Sequence, residues 1–265
     1  MSSLETELAG KTVLVTGASS GIGKYAAIEF AKNGSQLAVV GRRKEALEET
    51  VKACIQEGKL AEKDILPIVA SLDDADECKR VVKETIAKFG KLDVLVNSAG
   101  ILIGGSIETL SLEDYDKQMN INTRSVFVIT QAAVPHLKET KGSIVNVSSI
   151  TGLRSFPNVL SYCVSKAAVD QMTRCVALEL APYGVRCNAV NPGVIVTNCH
   201  KNSGMDDAAY EKFLEHSKTT HALGRVGDAE EVAKSILFLS SNKLSGFMTG
   251  VTLPVDGGRG VMCPR

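Results

Sequence analysis

The sequence predicts an α/β fold: one doubly wound parallel sheet of seven strands, with helices covering both faces. Three observations lead there. Short β-branched runs alternate with longer amphipathic segments along the whole chain, the order that strand–helix–strand units require. The strands are continuous apolar runs such as Val13-Leu14-Val15, without a two-residue period, so both of their faces are buried. No linker, internal repeat or low-complexity segment interrupts the 265 residues, so residues 1–265 are expected to form a single domain.

The elements follow in order. Lys11 to Thr16 is a β-branched run closed by Gly17, hence a buried strand. A glycine-rich turn leads into an amphipathic helix through Phe30, ended by Asn33-Gly34. Gln36 to Val40 is a second strand, and Lys44 to Gln56 a charged helix. Ile65 to Val69 is the third strand; the helix from Asp74 to Phe89 stops at Gly90. Leu92 to Val96 is the fourth strand, ending in Asn97-Ser98-Ala99-Gly100. Ser111 to Leu137 reads as one long helical region and Ser143 to Val147 as the fifth strand. A helix carrying Tyr162 and Lys166 runs to Pro182-Tyr183-Gly184. Val185 to Val190 is the sixth strand, broken by Asn191-Pro192-Gly193. Asn198 to Ala222 is polar and mixed, Asp228 to Leu239 is a helix opened by a capping acid, and Thr249 to Val255 is the last strand.

Composition excludes several classes of function. Apolar residues make up 44%, enough for a large core. Lys+Arg and Asp+Glu both count 30, so neither a basic stripe for nucleic acid nor an acidic tail is present. The 7 cysteines are odd in number and scattered, with no Cys-x-x-Cys pair, which argues against a disulfide framework and a zinc site. They are expected to be reduced thiols of a soluble, cytoplasmic protein. The N-terminal MSSLETELAGK carries acids and lacks an apolar centre, unlike a signal peptide, and the run Val126 to Leu137 is too interrupted to span a bilayer.

The chemistry concentrates in three places. Thr16-Gly17-x-x-x-Gly21-x-Gly23 lies between the first strand and the first helix, where glycines let a phosphate approach a helix N-terminus. Its spacing departs from G-x-G-x-x-G, and tight strand–helix packing alone would also call for glycine. At the end of the second strand an acid would bond an adenosine ribose, but Gly41 stands there, followed by Arg42 and Arg43. Guanidinium groups suit a 2′-phosphate, so NADP(H) is the expected cofactor and NAD(H) the alternative. Third, Tyr162 and Lys166 sit four residues apart in Ser143–Val169, so they project from one helix face, where a nearby cation favours tyrosinate. A solvated helix face would carry the same pair.

Taken together, Thr16-Gly17-x-x-x-Gly21-Ile22-Gly23, Asn97-Ser98-Ala99-Gly100, Asn122, Ser149, Tyr162-x-x-x-Lys166 and Pro192-Gly193 form an ordered set. In this order the chain resembles the short-chain dehydrogenase/reductase family from about Lys11 to Gly258, including Val255-Asp256-Gly257-Gly258. Within it the chain is most similar to 3-oxoacyl-carrier-protein reductase-like and carbonyl-reductase-like members. The resemblance implies a Rossmann-type fold and a catalytic tetrad of Asn122, Ser149, Tyr162 and Lys166. Tyr162 would be the proton donor in carbonyl reduction and the base in alcohol oxidation. Bringing a tyrosine from about 10 to about 7 takes roughly 4 kcal/mol of differential stabilisation. Lys166 and the oxidised nicotinamide would supply most of it, and Lys166 would also bond the nicotinamide ribose. Ser149, and not Ser148, has the family's spacing to the tyrosine and would hold the substrate oxygen. Asn122 would hold a water linking Lys166 to solvent.

For the cofactor, the resemblance implies Gly17, Ser19, Ser20, Gly21, Ile22 and Gly23 at the phosphates; Arg42 and Arg43 are read at the 2′-phosphate from their own chemistry, although the start of a solvated helix would carry the same pair. Asn97, Ala99 and Gly100 would line the adenosine side. Pro192, Gly193, Ile195 and Thr197 would surround the nicotinamide. Two departures stand out. Ser98 replaces the family's second asparagine, and Ser71 stands where an aspartate usually meets the adenine. Ser71 can accept one hydrogen bond with Leu72 covering the ring, or a shift along the chain presents Asp73 instead.

A substrate would enter over the nicotinamide, beneath a lid at about residues 194–222. Ile101, Ile150, Leu153, Val159, Val194 and Met205 are apolar candidates for its pocket, suited to an acyl-type, steroid or isoprenoid carbonyl, though each is equally compatible with core packing. His200, His216 and His221 fall in the lid without metal-site spacing, so no metal is expected, and Cys163 is read as a packing residue. The segments Asn120 to Leu137 and Ser161 to Ala181, with the terminal Val261-Met262-Cys263, suit burial between subunits, and a homotetramer is expected. The overall expectation is an NADPH-dependent oxidoreductase that reduces a ketone or aldehyde. A non-catalytic NAD(P)-binding sensor or scaffold would not need the complete tetrad. An NAD-preferring alcohol dehydrogenase remains an alternative. A sugar-nucleotide epimerase would need a larger domain after Pro192.

Overall fold

In the computed structural model, residues 7–58, 60–197 and 205–262 are described. Seven parallel strands form one sheet: β1 (Thr12–Thr16), β2 (Gln36–Gly41), β3 (Ile65–Val69), β4 (Val94–Asn97), β5 (Ser143–Val147), β6 (Arg186–Pro192) and β7 (Thr252–Val255). Their order is β3-β2-β1-β4-β5-β6-β7, so the chain reverses its direction of winding between β1 and β4. In a parallel sheet the crevice at that reversal, outside the carboxyl ends of the strands, is where ligands bind.

The strand sequences explain why helices cover both faces. In β1, Val13 and Val15 point to one side and Leu14 to the other; in β2, Leu37 and Val39 oppose Ala38 and Val40. The first set packs with Phe30 of α1 (Gly21–Lys32), Leu47 of α2 (Lys44–Gly58) and Val232 and Ile236 of α8 (Ala229–Ser240). The second packs with Val81 and Val82 of α3 (Ala75–Phe89), Ile129 and Leu137 of α5 (Ser125–Thr140) and Ala177 of α6 (Leu160–Leu180). Prolines stand on both edge strands, Pro67 in β3 and Pro254 in β7, where a missing N–H costs the sheet least.

Three elements differ from the sequence reading. The long helix expected over 111–137 divides into α4 (Leu112–Met119), a π-turn at Asn120–Arg124, and α5. Ser125 N donates to Asn120 O, five residues back, which inserts an extra residue into the turn that carries Asn122. Strand β6 runs on through Asn191 to Pro192, paired with Val255, instead of breaking at Asn191. The polar segment 198–222 contains a helix, α7 (Asp207–Thr219), capped by the Asp206 carboxylate accepting from Ala209 N at 2.8 Å. Smaller shifts place β4 at Val94–Asn97 and shorten β7 at its start. No helix among the described residues is long and apolar enough to cross a membrane.

Candidate active site

The carboxyl ends of β1, β4, β5 and β6 open into a cleft of about 730 Å³. Its first wall is the turn after β1. Gly17 has φ +68°, and a Cβ there would stand 2.7 Å from Ala99 Cα. Only glycine lets the β1 turn close onto the end of β4, and Thr16 Oγ1 locks that closure by accepting from Ser98 N and Ala99 N, both at 3.1 Å. Ser19, Ser20, Gly21, Ile22 and Gly23 then line the cleft at the start of α1. That helix has no acid in its first turn and no side chain capping its N-terminus. Its N-terminal partial charge therefore faces the cleft uncompensated by the protein, as an anion site requires.

At the end of β2, Gly41, Arg42 and Arg43 line the cleft, with both arginines exposed. A Cβ on Gly41 would lie 2.8 Å from Ser19 Cβ, so an acid at this position would have to displace the turn. Ser71 and Leu72 also line the cleft, whereas Asp73 does not. The Ser71 hydroxyl, and with it the Arg42 charge, holds the Asp73 carboxyl below its usual range. Asn97 is a correction: it is buried away from the cleft, its Nδ2 donating to Asn146 Oδ1 at 2.9 Å and Thr130 Oγ1 at 3.2 Å. The side-chain parity of β4 sends it into the sheet–helix layer.

The strand β5 ends in two serines with different tasks. Ser148 Oγ donates to Lys166 O at 3.2 Å and ties the strand to α6. Ser149 faces the cleft, its Oγ accepting from Thr151 N at 3.2 Å. Behind it, Asn191 Nδ2 donates to Ser149 O and to both oxygens of Asp170, at 2.9 to 3.1 Å. Asp170 is 1% exposed; burial raises its carboxyl above the ordinary range, against the pull of the Ser148 and Asn191 hydrogen bonds.

Tyr162 and Lys166 reach the cleft from one face of α6. Lys166 is 5% exposed; its Nζ lies 5.6 Å from the centroid of the Tyr162 ring and donates to Val147 O at 2.8 Å. Asn122, fully buried in the π-turn, exchanges two hydrogen bonds with the Ile101 backbone, at 2.8 and 2.9 Å, and donates to Ser165 Oγ at 3.1 Å. Its side chain thus holds the segment following Gly100 against α6 beside Lys166.

On the remaining wall Pro192, Gly193, Val194, Ile195 and Thr197 line the cleft, with Ile101, Ile150 and Val159 opposite. Leu153 and Met205 do not. Leu153 follows the short turn Ile150–Gly152 and points outward, 41% exposed, and Met205 precedes α7 away from the cleft. Cys163 likewise does not line it. His200, like the rest of the stretch 198–204, and Cys263 lie outside the described residues. Sequence reasoning missed Lys117, Phe156, Phe213 and Arg259, which line the cleft from four separate parts of the chain. Only Arg259 had a local signal, its place directly after Val255-Asp256-Gly257-Gly258.

His221 turns out to be a structural pin. It is 3% exposed, its Nδ1 lies 2.6 Å from Ser217 O, and its Nε2 accepts from Val194 N at 3.1 Å. With the acceptor role fixed on Nε2, the proton sits on Nδ1 and the ring is neutral, in line with a pKa that burial lowers. Tyr210 Oη donates to Thr197 O at 2.9 Å, so α7 and the turn after it fix this wall at two points. No group of three or more metal-ligating side chains forms among the described residues.

The lining carries Arg42, Arg43, Lys117, Lys166 and Arg259 and not one carboxylate among the described residues, in a chain whose formal charge is zero. Such a cleft attracts anions. Its charge, the open α1 N-terminus and the absence of an acid at Gly41 fit a phosphorylated dinucleotide.

Comparison with known proteins agrees with this architecture. A family model described as enoyl-(acyl carrier protein) reductase matches residues 17–259. The chain belongs to the short-chain dehydrogenase/reductase family, and it is an NAD(P)-dependent oxidoreductase of the carbonyl-reducing kind. The 3-oxoacyl-[acyl-carrier-protein] reductase FabG of Thermotoga maritima is 41% identical over 252 residues, 95% of this chain and 98% of that protein. A short-chain dehydrogenase/reductase of unknown function from Caenorhabditis elegans, solved with cofactor, superposes with a TM-score of 0.92 at 36% identity, covering 97% of both chains. The structure of ElxO with NADP bound has a TM-score of 0.85 at 32% identity, covering 96% of this chain and all of that one.

Proposed function

We propose that the protein reduces a ketone or aldehyde with NADPH, Tyr162 acting as the proton donor. The observation that carries this reading is the convergence of Ser149, Tyr162 and Lys166 on one cleft whose far end holds the α1 N-terminus and Arg42. When bound, NADPH supplies a hydride to the carbonyl carbon. The protein supplies position and a proton. Ser149 Oγ, oriented by Thr151 N, would hold the carbonyl oxygen, and Tyr162 Oη would protonate it as charge develops there. Lys166, buried and anchored on Val147 O, places a fixed positive charge beside the tyrosine, which favours release of that proton. Asn122 keeps the Ile101 backbone and α6 at fixed separation, and a water beside it would refill the proton from solvent.

Arg42 is the residue proposed to select NADPH, its guanidinium meeting the 2′-phosphate that an acid at position 41 would repel. ElxO, of comparable fold, binds NADP, which supports the assignment. The apolar side chains Ile101, Ile150, Val159 and Val194 suit a carbonyl with an apolar body; the T. maritima relative is named for a 3-oxoacyl substrate. The test follows NADPH absorbance with a panel of 3-oxoacyl thioesters, cyclic ketones and aldehydes. Turnover of at least one class is expected, and consumption by none would overturn the assignment.

A further inference from the structure

Arg259 lies in the short turn Arg259–Val261 that follows β7, and it enters the cleft from the C-terminal side. Its guanidinium carbon stands 4.6 Å from the centroid of the Phe156 ring. The turn itself is packed against the catalytic end of β5: a Cβ on Gly260 would come within 2.7 Å of Ile150 Cδ1, and Ile150 is the neighbour of Ser149. The cation is therefore held on the Ser149 side of the cleft, at the opposite end from Arg42 and Arg43.

No described side chain is hydrogen-bonded to it. Among the described residues the Arg259 side chain donates no hydrogen bond and forms no ion pair, and its Nε is enclosed without an acceptor. The acid beside it, Asp256, is occupied by the backbone of the turn: Oδ1 accepts from Gly258 N at 3.0 Å and Oδ2 from Gly260 N at 2.6 Å. Asp256 shapes the turn and leaves the arginine fork open. Burial lowers the Arg259 pKa and the nearby Asp256 charge offsets this only in part, so the cation has lost water without gaining a hydrogen-bond acceptor. A half-buried guanidinium with open donors is costly unless a ligand completes it, and its planar fork matches a carboxylate.

We propose that the Arg259 guanidinium, seated on Phe156, recognises a carboxylate on the substrate, so that the carbonyl reduced at Ser149 and Tyr162 belongs to an oxo-acid. The identity of the reacting group rests on the carbonyl-reductase reading; the anion site does not. Ile150, Phe156 and Phe213 supply apolar walls for the chain between carbonyl and carboxylate, and Lys117 adds a second positive charge to the same cleft. The bland counterpart is an arginine that only packs on Phe156, and the experiment separates the two.

NADP⁺-loaded protein is titrated calorimetrically with levulinate, with its longer oxo-acid homologues, and with the methyl ester of each. At least one acid is expected to bind about tenfold or more tighter than its ester. Arg259→Gln should abolish that preference while leaving ester affinity unchanged, and Arg259→Lys should retain part of it. Equal affinity of every acid and ester, or an Arg259→Gln variant that keeps the acid preference, overturns the proposal. NADPH consumption is measured on the same compounds. Acid-selective binding without turnover would keep the anion site and reject carbonyl reduction. Turnover of esters and acids alike, indifferent to Arg259→Gln, would do the reverse.

Discussion

Gly41 and Arg42 shape the nucleotide end of the cleft by different means, one by letting Ser19 of the turn pack against β2 and the other by supplying charge. Because a Cβ at 41 would crowd Ser19, replacing Gly41 with an acid would disturb the phosphate turn as well as the specificity. Arg42 offers the cleaner probe. Arg42→Ala should raise KM for NADPH about tenfold while leaving KM for NADH nearly unchanged, since only one cofactor carries the 2′-phosphate. An equal rise for both would assign Arg42 to general electrostatics. At this scale the sequence was legible wherever spacing along one helix or one turn decides the outcome. Tyr162 and Lys166 share a face because they are one helical turn apart, and Ser149 is distinguished from Ser148 by the family's spacing to the tyrosine. Asn97 was misread because a strand's last residue faces the cleft or the helix layer according to a boundary that sequence does not resolve. Leu153 was misread because apolarity says nothing of direction once the chain leaves the strand.

The element that departs most from expectation is α7. Its Asp206 cap and buried Tyr210 are present in the sequence, but the polar residues between them hide the helical period. Helix α7 and its following turn matter through His221, whose Nε2 holds Val194 N on the wall beside Gly193. Burial depresses the His221 pKa below its ordinary 6.5, so on acidification the unfolded chain takes up the proton first. The stabilisation is therefore full above 6.5 and is lost as pH falls through the depressed folded value. His221→Phe, which strands Val194 N–H, should cost about 1–3 kcal/mol at neutral pH. That difference should shrink in acid, as wild-type protein loses the same bond. Urea unfolding of both proteins across that range measures it; a difference that stays constant with pH would contradict the pin. The π-turn at Asn120–Arg124 was invisible for another reason. Its cause is tertiary, the Asn122 side chain bonding the Ile101 backbone, and no local propensity reports a contact made across the fold.

On the scale of the whole molecule, alternation of apolar strands with amphipathic helices was enough to predict a seven-stranded parallel sheet with two helical layers, and that is the sheet observed. The winding reversal between β1 and β4 then explains why segments far apart in sequence meet in one cleft. Residues such as Arg259 and Phe213 join it from elements whose position only the completed fold determines. The outer surface carries a second message. Phe127, Val164 and Leu178 are exposed on α5 and α6, and Met119, Phe127, Ala168 and Met172 line a shallow groove between these helices and the π-turn. We propose that these helices pair between subunits in a homotetramer, with Val261 and Met262, both exposed after β7, at a further contact. Sedimentation at micromolar concentration should give a tetramer, and a monomer would remove the proposal.

The central claim is that Tyr162 delivers the proton, and one substitution addresses it without altering the charge of the cleft or the backbone of α6. Tyr162→Phe keeps the ring beside Lys166 and removes only the hydroxyl. With the best carbonyl substrate, kcat should fall at least about a hundredfold while the affinity for NADPH stays near the wild-type value. A variant that reduces the same carbonyl at the wild-type rate would contradict the account.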